Sequence, residues 1–113
     1  MGAWGTEPWD NDHAADWFGD LWDAAPIVAP VQAGLRSVSS NEAVAAIWLC
    51  TQLCRTYVWP IHDLEATLDL AIAAATKILD GKDEQEYLEL WEHDPAPRAR
   101  LESMLAELTG RRA

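Results

Sequence analysis

Residues 43–54, Ala-Val-Ala-Ala-Ile-Trp-Leu-Cys-Thr-Gln-Leu-Cys, are apolar on nearly every side of a helix. A helix of that kind has no flank to offer water, so it must sit centrally among elements that each bring one apolar face. Ser39-x-x-Glu42 precedes it with capping-box spacing, in which side-chain groups satisfy the orphan N–H donors of a first turn. Pro60 biases its predecessor away from helix, placing the end of the segment near Arg55 to Tyr57. The rest of the chain has to supply partner helices.

A first helix is expected from about Asp12 to Ala24, with Asn11 or Asp12 as N-cap and Pro26 as its stop. Ala14, Trp17, Phe18, Leu21 and Trp22 recur at helical spacing and form a wide apolar stripe that predicts Trp17 in the core. Asp12, Asp16, Asp20 and Asp23 fall on the other side. Pro30 can open a short helix that puts Val31, Leu35 and Val38 on one face, with Gly34 weakening it. After Pro60, Asp63 can cap a helix to about Leu79, with Leu64, Leu68, Ala71, Ile72, Ala75 and Ile78 in register and Gly81 in the left-handed closing position. Asp83-x-x-Glu86 starts a further helix with Tyr87, Leu88 and Trp91 inward. Pro95 and Pro97 punctuate, and Leu101, Met104, Leu105 and Leu108 define a last helix closed by Gly110. No stretch alternates with period two between turn signals. The expectation is an all-α, single-domain bundle of five or six helices over residues 1–113, with the Trp-containing segment 1–10 packed on it.

Residues 1–17 read Met-Gly-Ala-Trp4-Gly5-Thr-Glu7-Pro-Trp9-Asp10-Asn11-Asp12-His13-Ala-Ala-Asp16-Trp17. The string resembles the opening of DUF4259, a family of unknown function, whose members begin Met-Gly-Ala-Trp-Gly-Thr-Gly-Pro-Phe, continue with Asn-Asp and place Asp-Trp shortly after. Glu7 and Trp9 stand here for the family's Gly and Phe, while Gly5, Asn11 and Trp17 fall on the pattern. The resemblance implies a bacterial, cytoplasmic protein and carries no activity with it.

A formal net charge of −11 argues against a nucleic-acid ligand, because phosphate neutralisation needs clustered Lys and Arg. The same charge would steer a basic partner toward the surface. Basic residues are absent before Arg36, so no secretory signal is expected, and no run of about eighteen apolar residues proposes a membrane span. The Met-Gly-x-x-x-Thr start fits a myristoylation pattern, but a polybasic second signal is missing and a single acyl chain binds only marginally. Cys50 and Cys54 fall four apart in the apolar segment, as reduced core thiols do.

Asp10, Asp12, His13 and Asp16 offer three carboxylates and an imidazole within seven residues. A calcium loop would also need its turn Gly and terminal Glu, and zinc would want more His or Cys, so capping and dipole complementarity account for them better. No nucleophile elbow, phosphate loop or dinucleotide fingerprint occurs. The three histidines, His13, His62 and His93, are scattered. The residues therefore point to a non-catalytic protein-binding module without cofactor or metal, of the immunity-protein or antitoxin kind. It would meet a basic partner through Asp12, Asp16, Asp20 and Asp23, with Trp4 and Trp9 either tucked over the bundle or serving as anchors. The acidic block 83–94 is expected to be neutralised in part by Arg98, Arg100, Arg111 and Arg112 of the last helix, leaving the first helix as the acidic face open to a partner. The alternative is a small-molecule or metal-binding helical domain, enzymatic or not, with its site at Asp10, Asp12, His13 and Asp16.

Overall fold

Helix formation tracks the caps closely. The computed structural model describes residues 11–81 and 95–112. The described helices are α1 (Asp12–Ala24), α2 (Val28–Leu35), α3 (Ser40–Leu53), α4 (Ile61–Leu79) and α5 (Ala96–Arg112), and no strand occurs among the described residues. Asn11 is the N-cap of α1, its Oδ1 accepting from the Ala14 amide at 2.8 Å. Ser39 caps α3, its hydroxyl accepting from the Glu42 amide at 3.5 Å. Gly81 closes α4 at φ 74°, as its sequence position predicts.

Helix α3 is central. It packs on α2, α4 and α5, and α4 packs in turn on α2 and α5. Ile47, Cys50, Leu68, Ile78, Leu101 and Leu108 are almost completely removed from water where these helices meet. Gly34 weakens α2 as an isolated helix but serves its packing: a Cβ there would lie 3.2 Å from Ala46 Cβ, so the missing side chain lets α2 approach α3.

The structure corrects several expectations. Trp17 is 59% exposed, and α1 contributes no fully buried residue. Ala14, Phe18, Leu21 and Trp22 are only half-buried, so the stripe is a shallow contact and Trp17, at its margin, stacks edge-on to Phe18 at 5.3 Å. Val38 is 91% exposed because α2 has ended at Leu35, while Val31 and Leu35 are buried as expected. Pro30 is the third residue of α2, where its lack of a donor costs nothing. Helix α3 stops at Leu53, ahead of the expected 55–57, and α4 begins at Ile61 with Pro60 in the cap position, so Asp63 is a first-turn residue favoured by the dipole. Pro97 is buried inside the first turn of α5, and that helix runs through Gly110 to Arg112.

Among the described residues, three arginines of α5 pair with acids of α4 and of α5 itself. Arg112 Nε donates to Asp69 Oδ1 at 2.7 Å and its Nη1 lies 3.6 Å from Glu65 Oε1, tying the end of α5 to α4. Arg111 pairs with Glu107 at 2.6 Å, and Arg98 lies 3.9 Å from Glu102 while donating to Leu79 O. The acidic block 83–94, with the helix expected there, and the segment 1–10 with Gly5 lie outside the described residues.

Trp17→Ala is accordingly expected to change global stability by no more than about 0.5 kcal/mol, as surface substitutions do. Denaturant unfolding checks it; a loss of several kcal/mol would return Trp17 to the core.

Candidate protein-docking face

The Asn11 cap fixes where α1 begins, and 3.6 residues per turn then fix what its sides carry. Asp12, Asp16, Asp20 and Asp23 are all exposed and fall within roughly a quarter of the helix circumference. None of the four takes part in an ion pair among the described residues. Gly19 lies on the same side, and together with Asp23 it forms one wall of a groove of about 580 Å³. Pro26, Val28 and Ala29 contribute from the turn and α2, and Pro60, Ile61, His62 and Asp63 from the start of α4. Most of these surfaces are apolar, Ile61 is 63% exposed, and the carboxylates of Asp23 and Asp63 stand at the groove.

One tryptophan holds α1 against this groove. Trp22 packs edge-on to the buried Trp59 with ring centroids 5.0 Å apart, and its Nε1 donates to Val58 O. Trp59 Nε1 in turn donates to Thr67 Oγ1 at 3.2 Å, and Gln32 Nε2 donates to the same oxygen at 3.0 Å. The Thr67 hydroxyl donates its own proton to Asp63 O at 2.7 Å. One hydroxyl thus uses its donor and both acceptor positions to join α2, α4 and the turn before α4. This network was not visible in the sequence, since its members are up to 36 residues apart and belong to no short motif. The large side chains and the single buried Thr in an otherwise apolar register of α4 were the available signals.

Of the sequence-expected partner-binding residues, Asp12, Asp16, Asp20 and Asp23 are brought onto one exposed face, while Trp4 and Trp9 lie outside the described residues. Asp10, of the alternative metal site, also lies outside them, and Asp12, His13 and Asp16 do not gather into a metal-holding group among the described residues. Cys50 and Cys54 are free and buried. The Cys54 thiol donates toward Cys50, and this with burial holds Cys54 far above the usual thiol range, while the same bond lowers Cys50. No helix among the described residues is long and apolar enough to cross a membrane.

A family model described as a domain of unknown function, DUF4259, matches residues 2–100. No curated protein and no solved structure matches the chain.

Proposed function

For this chain, which belongs to the DUF4259 family, we propose a role as a non-catalytic protein-binding module that docks a basic partner, in the manner of an immunity protein or antitoxin. The observation that carries the reading is the continuity of the exposed Asp stripe of α1 with the apolar groove beside it. An apolar floor with carboxylates at its edge suits a segment that presents apolar side chains flanked by Lys or Arg. The net charge of −11 adds a long-range field that accelerates encounter with such a partner.

Association kinetics against ionic strength test this with a partner identified by cross-linking from α1. The Asp16→Asn, Asp20→Asn, Asp23→Asn triple variant should fold normally and associate about tenfold more slowly at low salt. The difference should shrink as salt screens charges beyond about 8–10 Å. Equal on-rates for the two proteins at low salt would reject the acidic face.

A further inference from the structure

Glycine inside a helix costs stability relative to alanine, because it gives up more backbone freedom on folding and brings no side chain to pack. Gly34 is explained by its packing, since a Cβ there would lie 3.2 Å from Ala46 Cβ. Gly19, in the middle of α1, has no such reason: among the described residues a Cβ there would meet nothing within 4 Å. Gly110 has the same open surroundings, but it stands in the last turn of α5, where helix ends fray. Gly19 stands instead on the wall of the groove of about 580 Å³ whose other sides carry Pro26, Val28, Ala29, Pro60 and Ile61. The bare backbone of α1 is thus open to the groove.

The groove edge and the acidic row occupy neighbouring sides of one helix. Gly19, Trp22 and Asp23 line the groove, and Asp12, Asp16, Asp20 and Asp23 run beside them, the two sets centred roughly a fifth of a turn apart. A partner that fills the groove with apolar side chains and meets the row with Lys or Arg has to present those two kinds of side chain on adjacent faces. An extended segment sends successive side chains to opposite faces, whereas a helix carries an apolar stripe with a basic one directly beside it. The spacing agrees: aspartates at i, i+4, i+8 and i+11 span roughly 16 Å, and Lys or Arg at the same helical spacings keep step with them. Where two helices meet, the side chains at the contact set how near their axes come, and a glycine there allows the near end of the usual range of about 8–10 Å. A second copy is disfavoured as the occupant, because it brings another −11 and the same row of aspartates.

We propose that the groove takes a basic amphipathic helix of the partner, laid along the aspartate row of α1 with its closest approach at Gly19. The apolar stripe of that helix enters the groove beside Gly19, Val28 and Ile61, and its Lys or Arg residues meet Asp16, Asp20 and Asp23. The inference rests on the docking role proposed above and adds to it the form of the partner segment and the residue that admits it. Because a side chain at Gly19 would displace no described neighbour, replacing it reads the approach of the partner rather than the packing of the fold.

Titration of the full chain with two synthetic peptides, followed by ¹H–¹⁵N spectra, tests the proposal. Both contain leucine and lysine in equal numbers and are about 16 residues long, enough to span the row. One places its leucines at i, i+3, i+4 and i+7 and forms an amphipathic helix; the other alternates the two residues strictly and is amphipathic only when extended. The helical peptide should shift the amides of residues 19–29 and 61–63 saturably and bind at least about tenfold more tightly than the alternating one. Gly19→Leu should weaken the helical peptide about tenfold, while its thermal unfolding midpoint stays at or above that of wild type, leucine being the better helix former. No saturable shift, equal affinity for the two peptides, or wild-type affinity in Gly19→Leu would each overturn the inference. The Asp16→Asn, Asp20→Asn, Asp23→Asn variant separates that failure from failure of the docking role. If it loses peptide binding while Gly19→Leu keeps it, the acidic face stands and the close approach at Gly19 falls. Unchanged binding of the helical peptide to it rejects the acidic face, and this inference with it.

Discussion

Trp59→Ala is expected to destabilise the protein by about 3–5 kcal/mol, the range for deleting a buried aromatic ring. Trp59 is 2% exposed, and three things depend on it. Its ring fills the space between the turn before α4 and the core, its edge-on contact with Trp22 at 5.0 Å holds α1, and its N–H satisfies Thr67. Because α1 has no fully buried residue of its own, losing this contact should also release α1 before the bundle unfolds. Urea unfolding gives the global change, and amide exchange along residues 14–24 reports the local one. A loss below about 1 kcal/mol would show that the ring is not a core member on this scale.

Thr67→Val isolates the polar part of the same junction. Valine keeps the shape and removes the hydroxyl, which leaves the indole N–H of Trp59 buried without its acceptor and deprives Gln32 Nε2 of its partner. The expected cost is about 1–3 kcal/mol, that of a buried donor left unmet. Thr67→Ser, which keeps the oxygen, should cost less. Combining Thr67→Val with Trp59→Phe gives the sharper measurement: phenylalanine removes the stranded donor, so the double variant should lose less than the sum of the single losses. Strict additivity would mean that the hydrogen bond contributes nothing to stability.

These two effects concern residues that sequence periodicity does not connect. Periodicity placed Leu64, Leu68, Ala71, Ala75 and Ile78 on the buried side of α4 and set the bounds of α1, because helix geometry repeats every turn whatever surrounds it. It failed for Trp17, since the apolar stripe of α1 is wider than the contact it makes, and a sequence does not say which edge of a wide stripe meets the neighbour. Val38 was misplaced for a related reason: a helical register was carried three residues past the end of α2. The candidate docking face was legible only in part. Four aspartates on one side of α1 are a consequence of spacing, whereas the groove beside them needs α2 and the start of α4 folded against it.

Sequence alone determined the all-α class, a cap at Asn11 or Asp12 and one at Ser39, the closing glycine at 81 and the acidic stripe of α1, because each depends on interactions within about one helical turn. Tertiary structure decided that α3 is approached closely at Gly34, that Thr67 gathers donors from Gln32 and Trp59, and that Arg111 and Arg112 turn toward α3 and α4. Those outcomes depend on distances between segments tens of residues apart, which packing sets by excluding volume and by requiring buried polar groups to find partners.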